Sequence, residues 1–131
     1  TIIKAQSAED KVKLSLADLK QKSLNYQKSL IKVVLKQKSN VLSEKYFYFD
    51  RPMNLRLGKA EVSVQELPNH TILVKALQSL AKNIFLEAEG YVFDDNFFDL
   101  LPGETKKVKF SKTNNFKTSI NVKILNEFYS Y

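Results

Sequence analysis

No cysteine occurs among the 131 residues, so the chain has no disulfide framework, no thiolate metal ligand and no cysteine nucleophile. Histidine is nearly absent too. The single His70 lies in "PNHT", where no second imidazole completes a zinc cluster or a Ser-His-Asp triad, and the neighbouring Pro68 and Asn69 mark it as a turn residue. Apolar runs are short, and none approaches the roughly 18 residues of a membrane-spanning helix, so no membrane partner is expected. The opening "TIIKAQSAED" has neither the basic start nor the apolar stretch of a secretory signal and lacks an initiator methionine. It reads as part of a longer or processed protein. Glycine and proline are scarce, three of each, and every one falls where a pattern changes.

What is present is ordinary for a globular chain: 44% hydrophobic and 27% charged residues. A compact fold of this length buries about two thirds of its unfolded surface, enough for a sizeable core. The net charge of +7 is unevenly placed. Residues 1–58 hold 12 lysines and arginines against 5 acids, whereas residues 59–131 hold 9 against 9. Two units with different surroundings are therefore expected, joined near "RPMNLRLGKAEV", with the junction at Leu57–Lys59.

Period-two alternation dominates the second unit. Val62 and Val64, Ile72 and Val74, Ile84, Leu86 and Ala88, Val108 and Phe110, then Ile120, Val122 and Ile124 each alternate with polar neighbours, as strands with one buried face do. Turn signals separate them at "LPNH", "EG", "LPGE" and "KTNN". The expectation is all-β, an antiparallel immunoglobulin-like β-sandwich. In the first unit "KVKLSL", "SLIKVVLKQ" and "VLSEKYFYF" read as three strands, with a short helical turn near Ala17–Lys20. The competing reading is one basic amphipathic helix from Leu16 to Leu35, weakened by Ser23, Asn25, Ser29 and the β-branched "KVVLKQ".

Several residue groups invite a chemical reading. Asp94, Asp95, Asn96 and Asp99 offer hard oxygens for calcium, but the spacing lacks the glycine and distal glutamate of an EF-hand loop, so local bonds to backbone N–H groups are expected instead. Lys20, Lys22, Lys28, Lys32, Lys36 and Lys38, beside Tyr46 and Tyr48, resemble a phosphate-binding stripe with stacking rings. A solvated face, or one covered by acidic parts of a larger protein, is the expectation, with no nucleic-acid partner. Tyr46, Tyr48, Tyr91 and Phe98 are the aromatics that a sugar platform would use. In "LPGE", Pro102 and Gly103 suit the two corners of a type II turn, and either Phe97 or Phe98 must point inward with Leu100.

Two stretches, "VLSEKYFYFDRPMNLRLGKAEV" and "LAKNIFLEAEGYVFDDNFFDLLPGETKKVKF", resemble the carboxy-terminal end of a β-mannosidase of glycoside hydrolase family 2; the resemblance covers most of residues 29–111. It implies that residues 1–58 are the latter part of a penultimate immunoglobulin-like sandwich and residues 59–131 a small terminal one. It also implies a non-catalytic, architectural role beside an upstream barrel that hydrolyses terminal β-mannosides by a retaining mechanism without a metal. Such hydrolysis needs two carboxyl groups about 5–5.5 Å apart. Glu87 and Glu89 share a strand face but are expected to be solvated, and Asn126–Glu127 copies the "NE" of the family's acid/base motif without its barrel. No catalytic, cofactor-binding or metal-binding residue and no cofactor is therefore assigned. The expected partners are the upstream domains of the parent enzyme, which alone meet oligosaccharide. Self-association through a truncated first sheet is a further expectation, because three strands leave an apolar face and an edge uncovered. Its compartment stays open: periplasmic or extracellular, if the parent is a bacterial glycan-degrading enzyme.

Overall fold

The computed structural model describes residues 24–129. "KVKLSL", the turn near Ala17–Lys20, Lys20 and Lys22 lie outside them.

Among the described residues the chain is all-β. Strands β1 (Leu30–Gln37) and β2 (Asn40–Tyr48) form an antiparallel hairpin. After a 3-10 turn at Pro52–Asn54 come β3 (Val62–Leu67), β4 (Thr71–Ala76), β5 (Ala81–Glu87), β6 (Tyr91–Phe93), β7 (Phe98–Leu100), β8 (Thr105–Lys112), β9 (Asn121–Lys123) and a single helical turn, α1 (Asn126–Tyr129). Residues Leu30–Leu35, the end of the alternative helix, are strand. Their β-branched members Ile31, Val33 and Val34 fit a pleated surface better than a helix, where χ1 is restricted by the preceding turn.

Strands β3 to β9 make two antiparallel sheets, ordered β3-β4-β8-β6 and β7-β5-β9. Seven strands in sheets of four and three are the pattern of a small immunoglobulin-like sandwich. Its core is the inward row of each sheet: Ile72, Val74 and Ala76 of β4 and Val108 and Phe110 of β8 face Ala81, Ile84 and Leu86 of β5, Leu100 of β7 and Ile124. Each large member buried this way contributes about 1.5–3 kcal/mol over its exposed state. The outward row is polar, as with Lys75, Lys107 and Lys109.

The connections carry the special backbone geometry. "LPGE" is a turn closed by the Glu104 N–H donating to Leu101 O at 2.9 Å, with Gly103 at φ +81°. That positive φ is the second corner of a type II turn, available to glycine without Cβ strain. Because β7 and β8 belong to different sheets, the turn carries the chain from one layer to the other rather than closing a hairpin. It is also tied to the end of β4, since Gly103 N–H donates to Ala76 O at 2.8 Å.

Candidate functional site

The hairpin meets the sandwich through side chains that alternation brings to one face. Tyr46 and Tyr48, two residues apart on β2, point the same way, and Lys32 lies directly across from Tyr46 in the antiparallel register. Facing them are the two acids of "DLLPGE". Asp99 stands in the middle of β7, and Glu104 follows the Pro-Gly corner.

Each tyrosine takes one acid. Tyr48 donates its hydroxyl to Asp99 Oδ2 at 2.5 Å, and Tyr46 donates to Glu104 Oε2 at 2.6 Å. A lysine completes each pair. Lys82 Nζ lies 3.1 Å from Asp99 Oδ2 and 3.9 Å from the centre of the Tyr48 ring, while Lys32 bridges Glu104 and Glu44, the latter at 2.6 Å. The carboxylates also hold the sandwich's own backbone. Asp99 Oδ1 accepts the Asn83 N–H at 2.7 Å and Glu104 Oε2 accepts the Leu101 N–H at 2.9 Å. Both acids are thus satisfied from two sides, which a largely buried carboxylate requires.

The electrostatics follow from those contacts. Burial alone would raise the Glu104 carboxyl; hydrogen bonds from Lys32, Tyr46 and the Leu101 N–H outweigh it and hold the group below its ordinary value. Burial first, then the bond to Glu104, push the Tyr46 hydroxyl up to about 12. Tyr48 is raised by burial and by Asp99, and the Lys32 ammonium by its bonds to Glu104 and Glu44. Every ionisable member with a resolved shift is held in the state it needs at neutral pH. The seam is a clasp: its groups are spent on one another.

The other candidates are dispersed. Glu87 pairs with Lys123 at 2.8 Å and accepts from Asn121 at 2.9 Å, which hold its carboxyl below the ordinary value, whereas Glu89 offers its backbone carbonyl to Thr118. Asp94 accepts the Lys109 N–H, Asp95 pairs with Lys106, and Asn96 bonds both the N–H and the C=O of Leu86. Asp94 and Asp95 therefore serve β8 and Asn96 serves β5, while Asp99 belongs to the clasp, and no group of three metal-ligating side chains converges among the described residues. His70 sits in the β3–β4 turn at φ +50° with its ring edge-on to Phe110. Of the lysine stripe, Lys32 is drawn into the clasp, and Tyr46 and Tyr48 are engaged there rather than standing free for stacking. Tyr91 stacks on Phe110 at 4.9 Å, and Phe98 packs against the core beneath Lys106.

Asn126, taken from the sequence only as half of an unframed "NE", is a structural centre. It is 1% exposed, accepts the Lys82 N–H at 2.9 Å, and donates to Gly58 O and Leu80 O at 2.8 Å each. One amide thereby joins the linker, the start of β5 and α1. Nothing in the local pattern signals this, because the three partners are 44 to 68 residues away.

The fold and its inward-facing rows define an immunoglobulin-like domain. Residues 55–128, more than half of the chain, match the family model Ig_mannosidase, an Ig-fold domain. The chain belongs to this family of non-catalytic Ig-like domains associated with mannosidases. No curated protein matches the chain.

Proposed function

We propose that the chain is the carboxy-terminal region of a β-mannosidase-like glycoside hydrolase and serves as its architectural support, bracing an upstream catalytic barrel that removes terminal β-linked mannose. On this reading residues 1–58 end a penultimate sandwich and residues 59–131 form the last one. The observation that carries it is the clasp. The acids of "DLLPGE" in the family-matched portion are taken up by the tyrosines of "YFY" in the preceding hairpin, so the most distinctive stretch of the terminal sandwich is used to hold a neighbouring unit at a fixed angle. A carboxylate already shared between a tyrosine and a lysine is poorly placed to protonate a leaving group or attack a sugar carbon.

The test has two arms. The coding sequence upstream of Thr1 should run on into a catalytic barrel, and the purified chain should leave nitrophenyl β-mannoside intact. Turnover by the purified chain that is lost on substituting Glu87 or Glu89 would overturn the non-catalytic reading, and an upstream frame without a barrel would overturn the parent enzyme.

A further inference from the structure

One aromatic of the "NFFD" stretch is not spent on the clasp or the core. Phe97 is 66% exposed and holds φ +60°, a left-handed conformation that a bulky side chain rarely adopts. The backbone around it is over-determined. Asn96 bonds both backbone groups of Leu86, the Phe97 N–H donates to Ile84 O at 2.7 Å, and Asp99 accepts from Asn83, so residues 96–99 are laced to β5 on either side of the strained position. The outcome is a ring stacked on Phe85, centroids 5.0 Å apart and planes 25° from parallel, with its other face free. Strain held in place by its surroundings, to display rather than to bury an apolar ring, points to a ligand.

That ring borders a cleft of about 510 Å³ between the hairpin and the sandwich, within the roughly 300–1,000 Å³ of small-molecule sites. Glu44, Lys45, Tyr46, Glu104 and Lys106 line it with Phe98. The charges of Glu44, Glu104 and Lys106 are matched: Lys32 lies between Glu44 and Glu104, and Lys106 is paired with Asp95. Walls neutralised in this way have little net field to attract an ion, yet they retain lone pairs and ammonium protons for hydroxyl groups. An apolar floor under such walls fits a molecule that is uncharged, rich in hydroxyls and flat and apolar on one side. We infer that the cleft binds a neutral pyranose, whose C–H face rests on Phe97 while its hydroxyls reach Glu44 and Lys106. The inference goes beyond the bracing role and does not depend on it, since every residue it uses lies among the described residues of this chain.

The experiment is a titration of the isotopically labelled chain with β-linked mannotriose, cellotriose and a galacturonate trisaccharide, followed by amide chemical shifts. Saturable shifts centred on Phe97, Phe98, Lys45 and Lys106 with either neutral sugar are expected. Phe97→Ala should weaken them at least tenfold, Phe97→Tyr should preserve them, and Phe116→Ala, which removes a still more exposed ring elsewhere, should leave them unchanged. No shift with either neutral sugar, shifts outside the cleft, or tighter binding of the anionic sugar would overturn the inference. So would undiminished binding by a folded Phe97→Ala chain. Because the readout is direct binding, none of these results bears on whether an upstream barrel exists.

Discussion

Tyr48 and Asp99, 51 residues apart in the chain, meet at 2.5 Å, and the same carboxylate carries the Asn83 N–H on its other oxygen. The hairpin, β7 and β5 thus share one side chain. A hydrogen bond to a charged group is worth about 1.5–3 kcal/mol. Tyr48→Phe is expected to lower unfolding stability by that amount in urea. In a double-mutant cycle, Asp99→Asn should cost much less on the Phe background than on the native one. Additive costs would show that the two residues act independently.

Asn126 satisfies three backbone groups at once, so Asn126→Ala strands all three in a buried site. A loss on the order of 3 kcal/mol is expected, from about 1–3 kcal/mol for each unsatisfied group after partial relaxation. Asn126→Asp keeps the acceptor for Lys82 but cannot donate to Gly58 or Leu80, and it adds a buried charge. It should be no better than Ala. Thermal unfolding of the two variants beside Glu127→Ala, an exposed neighbour expected to be neutral, is the measurement.

The clasp sets a pH window. Glu104 titrates below its ordinary value of 4.5 in the folded chain, so its contribution is whole above 4.5 and is lost as pH falls through the lower folded value. Tyr46 is raised from 10.0 to about 12, so its contribution is whole below 10 and is lost as pH climbs toward 12. Stability of the native chain should be level between these limits with respect to the two groups. Glu104→Gln should flatten the acid limb, and Tyr46→Phe the alkaline limb. Denaturant midpoints measured across pH, with both limbs unaltered in the variants, would refute this assignment.

Gly103 separates backbone strain from crowding. At φ +81°, a Cβ added there would meet nothing within 4 Å, so any cost of substitution is conformational. Gly103→Ala should cost about 1–2 kcal/mol, and Gly103→Val more, because a β-branched side chain tolerates this region least. Lys106→Ala, which removes an ion pair and a contact over Phe98, should cost less than Gly103→Val. Equal melting temperatures for Gly103→Val and Lys106→Ala would show that the corner carries no strain.

How much could be read in advance differs from element to element, for a physical reason in each case. Five strands of the sandwich, β3, β4, β5, β8 and β9, were legible because burial of one sheet face imposes a period of two, as on Ile72 and Val74, Ile84 and Leu86, Val108 and Phe110, whereas the three-residue β6 is too short to show a period. Ala88, Ile120 and Ile124 are the exceptions, each lying one residue outside its strand. The corner at Pro102-Gly103 was legible because its dihedral angles demand those residues. Alternation required one of Phe97 and Phe98 to face inward but could not choose between them. The choice fell to Phe98 because the chain crosses the left-handed region at Phe97 while laced to β5.

The sequence by itself determined the all-β class, the alternating core and the position of the turns, since each is set by residues within a few positions of one another. Only the tertiary structure decided what the polar residues do. Tyr46 and Tyr48 read equally well as stacking platforms or as ordinary strand residues, and Asp99 and Glu104 as turn acids. Their roles emerge when the hairpin folds against the "LPGE" corner, because a hydroxyl or a carboxylate is defined by the partner that replaces water, and that partner lies about fifty residues away. Asn126 shows the same dependence. An amide carries no signature of burial until β5, the linker and the last turn converge on it.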